Sequence, residues 1–291
     1  MRYDIKLEID YSYGSPSDHA RTLVRVLPSD LPGRQIVTKR LLTVEPMASE
    51  RSESTDFFGN TMLSLAFHRP IEQIQITLRA HVERLAQPSS LDLSPDLRGL
   101  SRDIAQNKSL KSNAPHHYLG PSVRVEEDTA ITAFAMDQSA PGMTAMQIVE
   151  RVGRALHAEM RFDADATDVA TPPSVAFANR HGVCQDFSHV MIGCLRALGI
   201  PAGYVSGFLR TIPPPGQDRL EGADAMHAWV SAWCGVDAGW IEFDPTNMCR
   251  TGLDHIAVAY GRDYADVAPV KGVLRTTGDQ RSKQRVDVVP I

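Results

Sequence analysis

The first residues of the chain alternate between apolar and polar side chains. Tyr3, Ile5, Leu7, Ile9 and Tyr11 fall on every second position, which is the pattern of a half-buried β-strand. More strand patterns follow, separated by the turn-forming stretches "GSPSD", "PSDLPG" and "FFGN": they are "TLVRVLP", "QIVTKRLLTVEP", "TMLSLAF" and "IEQIQITLRAHVE". Short strands at this spacing predict a small all-β sandwich over residues 1–85, which we interpret as a packing or recognition module.

Residues 86–117 differ in composition from the strands before them. The stretches "QPSSLDLSPDLRG" and "NKSLKSNAPHH" are rich in Pro, Ser and Asn, as linkers are. A short helix is predicted inside this linker at "LSRDIAQ".

Residues 118–291 form a second region with the patterns of a compact domain. The segment "TAMQIVERVGRALHAEM" places its apolar residues on one helical face. Strand patterns follow at "GYVSGFL", "MHAWVSAWC" and "GWIEFD". Helices followed by antiparallel strands predict an α+β domain.

A further helix in this region begins next to a cysteine. The segment "RHGVCQDFSHVMIGCLRALGIP" carries an apolar stripe, with Gly199 and Pro201 as stop signals. Cys184 falls in or just before the first turn, where free N–H groups and the helix dipole favour a negative charge. We therefore expect its thiol to ionise more easily than a free thiol. The alternative is that Cys184 is a small buried hydrophobe.

A histidine and an aspartate lie on two strand patterns joined by a turn, in "DAMHAWVSAWCGVDAGWIEFDPTN". If residues 235–238 form a four-residue loop, Asp244 lies opposite Trp229 and is a diagonal neighbour of His227 on the same face. A loop one residue longer or shorter would place the two side chains on opposite faces. The hairpin therefore permits a contact between His227 and Asp244.

These three side chains are the parts of a nucleophilic triad. Cys184 would attack a carbonyl, His227 would take and return the proton, and Asp244 would orient the imidazole. Taken singly, His227 is also consistent with a hydrogen-bonded histidine in a sheet, and Asp244 with a turn residue before Pro245. Their joint occurrence on compatible elements favours catalysis.

Composition excludes several other classes of function. A net charge of −5 gives no basic stripe, so no nucleic-acid partner is expected. No apolar run is long enough to span a membrane, and the N-terminus lacks the apolar core of a signal peptide, so a cytoplasmic protein is predicted. The four cysteines contain no CxxC pair and the ten histidines no HExxH pair. Neither a disulfide framework nor a metal site is therefore predicted.

The motifs "GVCQDFSH", "MHAWVSAW", "GWIEFDPTN" and "HIAVAYGRDYADVAPVKGV" resemble the transglutaminase-like superfamily, in its bacterial branch with an additional N-terminal β region. This resemblance implies a papain-like α+β core, in which the helix bearing the cysteine packs on an antiparallel sheet. It implies that Cys184, His227 and Asp244 are catalytic and that an amide is processed through a thioester. It also implies a peptide or protein substrate and no metal or other cofactor.

One departure from papain-like enzymes concerns the oxyanion hole. Those enzymes often use a glutamine a few residues before the cysteine, but "FANRHGV" contains none. The Cys184 backbone N–H can supply one donor, and Asn179 and Gln185 are candidates for the second. Trp229 and Trp240 are candidates for the walls of the acyl site, although large aromatics in strands are more often core residues.

The sequence thus predicts a thiol enzyme that acts on a peptide bond or a glutamine carboxamide. Hydrolysis is favoured over transamidation because water needs no dedicated acceptor site. The alternative is a catalytically weak or inactive peptide-binding module on the same fold. The natural substrate and the oligomeric state stay open at this point.

Overall fold

The computed structural model describes residues 1–88, 91–211, 222, 224–275 and 279–291, without the side chains of residues 17–19 and 274–275. The elements in chain order are β1 (Arg2–Val24), β2 (Gln35–Glu45), β3 (Glu50–Thr55), β4 (Thr61–Phe67), β5 (Ile71–Arg84), α1 (Leu97–Gln106), a 3₁₀ turn (Pro115–Tyr118), α2 (Thr129–Asp137), α3 (Ala145–Glu159), β6 (Arg161–Phe162), α4 (Pro173–Asn179), β7 (His181–Gly182), α5 (Cys184–Ala197), β8 (Ala202–Leu209), β9 (Ala225–Trp233), β10 (Trp240–Asp244), β11 (Cys249–Arg250), β12 (His255–Gly261), α6 (Tyr264–Val267), β13 (Val270–Arg275) and β14 (Gln280–Pro290).

The N-terminal β region is built around one long strand. The first half of β1 pairs with β5 and β14, and its second half pairs with β4 and β13, all antiparallel. The turn predicted at "GSPSD" is therefore wrong, because the chain continues there as β1. A register shift between Ser12 and Ser17 marks the irregularity, and such an irregularity lets a strand bend and serve two sheets.

The end of the chain returns to this N-terminal region. The strands β13 and β14 lie within residues 118–291, the predicted catalytic core, but both pair with β1. Val286 and Val288 of β14 are buried with Ile5 and Leu7 of β1 in the same apolar core. The N-terminal sheet is thus completed by strands from the opposite end of the sequence.

The core sheet has the order β11-β10-β9-β8-β12, with its neighbouring strands antiparallel. Helix α5 packs on one face of it, where Val190 and Leu195 of the helix are buried with Val230 of β9. This is the mixed α+β architecture that the sequence predicts. The hairpin register also agrees with the prediction, because Trp240 pairs with Trp233 and Phe243 with Val230. Continued by one residue, that register sets Asp244 opposite Trp229.

The N-terminal region packs directly on the core sheet. The side-chain amide of Gln35 donates to Ala257 O at 2.8 Å and accepts from Ala257 N at 2.9 Å. Asn60 makes the same pair of hydrogen bonds with the backbone of Tyr260. These two amides occupy the open edge of β12 in place of a further strand, so the N-terminal region covers an edge that would otherwise be exposed.

The helices of the described ranges are too short or too polar to cross a bilayer.

Candidate active site

Cys184 is the first residue of α5. Its backbone N–H is one of the four at a helix start that have no intrahelical acceptor. The residue is partly exposed and packs against the main apolar core. The thiol therefore lies at an accessible helix N-terminus, as the sequence predicts.

The first turn of α5 is closed by a buried carboxylate. Oδ2 of Asp186 accepts from the Val183 backbone N–H at 2.8 Å and from the Thr167 hydroxyl at 2.5 Å. Burial raises the pKa of Asp186 above its ordinary value. A Cβ added at Gly182 would lie 2.6 Å from that same Oδ2 atom. Glycine is thus required at position 182 by the side chain that caps the helix.

His227 and Asp244 are in direct contact on neighbouring strands. Nε2 of His227 lies 2.7 Å from Oδ2 of Asp244, and the two side chains are 8% and 0% exposed. Since Nε2 faces the carboxylate, Nδ1 is the ring nitrogen left for another partner.

The titration behaviour of this pair involves the cysteine as well. Burial lowers the pKa of His227, but hydrogen bonds to Asp244 and Cys184, with the negative charges of both, raise it to about 10. Burial also acts to raise the pKa of Asp244, yet hydrogen bonds from His227, His255 and Asn247 hold it far below its ordinary value. The site therefore favours an imidazolium at His227 beside an ionised Asp244.

Two further side chains contact Asp244 that sequence reasoning missed. Nδ2 of Asn247 donates to Oδ2 at 2.7 Å and lies 3.4 Å from Nε2 of His227. Nε2 of His255 lies 3.0 Å from the same Oδ2. The "DPTN" turn could have indicated Asn247, because an aspartate that starts a turn commonly accepts from the backbone two and three residues later. No local signal indicates His255.

The candidate oxyanion donors lie in different settings. Gln185 is buried, and its side-chain amide donates to Val169 O at 3.3 Å. Asn179 is the last residue of α4 and is exposed. Gln185 therefore has a structural use of its own, and neither residue has a described contact with His227.

The two candidate wall residues contact different surroundings. Trp229 is fully buried, donates from Nε1 to Oε2 of Glu242 at 2.8 Å, and packs its ring edge-to-face on His255 at 5.2 Å. Trp240 donates to Asn113 O at 3.0 Å. It lines a cavity of about 220 Å³ between the N-terminal region and the core sheet. Trp229 thus supports the second histidine, and Trp240 belongs to the contact between the two regions.

The other three cysteines are held as neutral thiols. Burial raises the pKa of Cys194 well above its ordinary value and that of Cys234 to about 12. Burial and the charge of Asp244 raise the pKa of Cys249 to about 11.

One set of side chains in the described ranges has the composition of a metal site. The potential ligand atoms of His227, Asp244 and His255 lie within 4.8 Å of one another, and two imidazoles with a carboxylate are common zinc ligands. Here both Nε2 atoms lie within hydrogen-bonding distance of one carboxylate oxygen. The arrangement is therefore fully accounted for by hydrogen bonds.

Two family models match the chain, one in the α+β core and one in the N-terminal β region. Residues 132–245 match the transglutaminase-like superfamily and residues 3–83 match the bacterial transglutaminase-like N-terminal region. A chain of Mycobacterium bovis described as an uncharacterized protein is 34% identical over 272 residues, covering 88% of this chain and 83% of its own length. A protein-glutamine gamma-glutamyltransferase of Pseudomonas aeruginosa is 38% identical over 100 residues, covering 32% of this chain and 15% of its own length.

The fold comparison agrees with the sequence comparisons. The crystal structure of a candidate cysteine protease from Cytophaga hutchinsonii superimposes with a TM-score of 0.74 and 21% identity, covering 99% of this chain and 91% of that one. The chain therefore belongs to the transglutaminase-like superfamily and carries the N-terminal region found in bacterial members of that family.

Proposed function

We propose that this protein is a thiol enzyme that transfers the acyl group of an amide through a Cys184 thioester. The observation that carries the proposal is the buried pair in which Nε2 of His227 lies 2.7 Å from Oδ2 of Asp244. Cys184 is partly exposed, and against burial, which lowers it, hydrogen bonds to Asp244 and Cys184 raise the pKa of His227. A nucleophile, a base and an orienting carboxylate in this order are the parts of acyl-transfer catalysis.

The first half-reaction acylates the cysteine. The Cys184 thiolate attacks the amide carbonyl, an S–C bond forms, and the C–N bond breaks. The leaving ammonia or amine takes a proton from Nδ1 of the His227 imidazolium. The raised pKa of His227 supports this role, because the ring is protonated when the thiolate attacks. Asp244 keeps the other ring nitrogen oriented.

The second half-reaction releases the acyl group. Neutral His227 removes a proton from water, the oxygen attacks the thioester carbonyl, and the Cys184 thiolate leaves. An amine in place of water would give transamidation. We favour hydrolysis of a peptide bond or a glutamine carboxamide, because water needs no acceptor site. The same proposal includes three further points. The substrate is a peptide or a protein, the reaction needs no metal or other cofactor, and the protein is located in the cytoplasm.

The oxyanion of each tetrahedral intermediate needs donors. The backbone N–H of Cys184 is one, since no intrahelical acceptor competes for it. The described contact of Gln185 does not make it the second donor, because its amide donates to Val169 O at 3.3 Å. This occupied amide favours the second candidate function, a catalytically weak or inactive peptide-binding module.

An activity screen distinguishes these functions. Glutamine-containing peptides are incubated with the full chain, with and without a primary amine, and ammonia release and product mass are followed. Cys184→Ala is the matched control. Ammonia release that requires Cys184 and does not incorporate the amine is the expected result. Amine incorporation would identify a transamidase, and peptide binding without turnover of any amide would favour the binding module.

A further inference from the structure

His255 is a buried histidine that the proposed reaction does not use. It is the first residue of β12, and its side chain is 7% exposed. Its Nε2 atom lies 3.0 Å from Oδ2 of Asp244, the same oxygen that Nε2 of His227 contacts. Two imidazoles therefore converge on one carboxylate oxygen from strands that are not neighbours in the sheet.

The surroundings of His255 define which ring nitrogen carries its proton. The backbone N–H of Gly252 donates to Nδ1 at 3.3 Å, so Nδ1 is an acceptor. In a neutral imidazole one nitrogen accepts and the other donates. Nε2 therefore carries the hydrogen and donates it to Asp244, and His255 is assigned as a neutral ring in one tautomer.

Asp244 accepts hydrogen bonds on both of its carboxylate oxygens. Oδ1 accepts from the backbone N–H groups of Thr246 at 2.9 Å and Asn247 at 3.1 Å. Oδ2 accepts from His227, from the Asn247 amide and from His255. Hydrogen bonds to a charged acceptor are the strong ones. A carboxylate with this many donors stays ionised and cannot rotate.

The ring of His255 is itself fixed by packing. Trp229 meets it edge-to-face, with interplanar angle 86°, and the Trp229 indole donates to Glu242. Glu242 in turn is paired with Arg34 of the N-terminal region at 2.7 Å. His255 is thus held between a backbone N–H, an aromatic edge and a carboxylate, which leaves it one orientation.

We propose that His255 is a positioning residue for the acyl-transfer reaction, in which its neutral Nε2–H fixes the Asp244 carboxylate so that the His227 ring presents Nδ1 to the Cys184 thiol. This inference rests on the proposed function for its effect on rate. Its geometric part, the effect of His255 on the His227–Asp244 hydrogen bond, can be measured without any turnover.

The test compares substitutions that keep or remove the donor. The amide nitrogen of Gln reaches about as far as Nε2 of histidine, whereas Asn is too short and Leu has no donor. His255→Leu and His255→Asn are therefore expected to lower kcat roughly tenfold to a hundredfold, with KM nearly unchanged. His255→Gln is expected to retain most of the wild-type kcat, because it keeps the donor. His189→Leu removes another buried histidine, whose described partners are Tyr264 and Tyr204, and controls for general destabilisation.

A spectroscopic measurement separates positioning from stability. Proton and nitrogen NMR of selectively labelled histidine reports the His227 Nε2–H bonded to Asp244. We expect its resonance to shift in His255→Leu and His255→Asn, and to stay near the wild-type position in His255→Gln and His189→Leu. If His255→Leu fails to fold, His255→Asn provides the same comparison.

The two proposals can fail separately. An unchanged His227 resonance in folded His255→Leu or His255→Asn would overturn the positioning role, even if the chain turns over amides. A His227 resonance that shifts in His255→Leu and His255→Asn, in a protein whose wild-type form turns over no amide, would support the positioning role and reject the proposed enzyme. Equal loss of kcat in His255→Gln and His255→Leu would also overturn the inference, because the donor would then not matter.

Discussion

The imidazole of His227 and the carboxylate of Asp244 form a hydrogen bond of 2.7 Å in which both side chains are almost completely removed from water. Burial alone would favour a neutral ring and a neutral acid. The pKa values move in the opposite directions, up for His227 and down for Asp244. The hydrogen bonds and charges around the pair therefore outweigh its desolvation, and this gives the proposed triad its ionic form.

Alkylation should distinguish Cys184 from the other cysteines. At pH 7 iodoacetamide is expected to label Cys184, because the thiolate is the reactive form and the protonated His227 ring stabilises it. Cys249 is equally half-buried, but its pKa of about 11 keeps it protonated. Peptide mapping by mass spectrometry measures both sites. Labelling of Cys249 as fast as Cys184 would contradict this assignment, and His227→Gln should slow the labelling of Cys184.

The His227 titration should depend on both of its partners. The pKa of about 10 arises against burial, through hydrogen bonds and charges from Asp244 and Cys184. Cys184→Ala removes one contribution and Asp244→Asn the other, so each substitution should lower the pKa of His227. Histidine NMR over pH 5 to 11 gives the values directly. A His227 pKa that is the same in wild type and in Asp244→Asn would show that the carboxylate does not set it.

Stability should fall on the alkaline side because of the same histidine. The pKa of His227 is raised from 6.5 when unfolded to about 10 when folded. Proton binding there stabilises the fold fully below about pH 6.5, and this contribution is lost as the pH rises towards 10. Urea unfolding at several pH values measures the decline, which should be smaller in His227→Gln. If the free energy of unfolding fell equally with rising pH in the wild type and in His227→Gln, other groups would cause the decline.

Local patterns predicted the part of the site that the hairpin builds. The four-residue loop at 235–238 fixes the register of β9 and β10, and that register sets Asp244 opposite Trp229 and beside His227. The helix that begins at Cys184 was likewise predicted from its apolar stripe and from the glycine that follows its last turn. In each case the decisive contacts lie within about twenty residues, so spacing along the chain carried the information.

Long-range contacts could not be predicted in this way. His255 reaches Asp244 although two strands, β9 and β8, lie between β10 and β12 in the sheet order, so neither strand pairing nor local spacing brings the two side chains together. The pairing of β14 with β1 joins residues 267 to 287 positions apart in sequence, from Tyr13 with Gln280 to Tyr3 with Pro290. The "GSPSD" stretch has the composition of a turn, but the chain continues through it as β1, and its Ser17 and Asp18 pair with Ile71 and Arg275.

The ion pair between Arg34 and Glu242 should stabilise the contact between the two regions. Glu242 is 2% exposed and also accepts from Trp229 and Tyr260, so removing its cation leaves a buried charge without its partner. Because Arg34 is about a third exposed, we expect Arg34→Met to cost roughly 2–3 kcal/mol of unfolding free energy.

The matched control for that change lies in the same region. The pair of Arg40 with Glu53 at 3.1 Å is exposed on both sides, so Arg40→Met should cost less than about 1 kcal/mol. Denaturant unfolding of the two variants side by side makes the comparison. Equal losses would mean that the burial of Glu242 contributes nothing to the strength of the contact.

Gly182 should be essential for the shape of the helix start that carries Cys184. A Cβ at this position would lie 2.6 Å from Oδ2 and 2.7 Å from Cβ of Asp186, so Gly182→Ala must displace the carboxylate that accepts from Val183 and Thr167. We expect a loss of about 1–3 kcal/mol in stability, together with slower alkylation of Cys184 in the folded protein. Gly120→Ala is the control, because an added Cβ there meets nothing within 4 Å. If Gly182→Ala behaved like Gly120→Ala in both measurements, the cap by Asp186 would not be what fixes the position of the thiol.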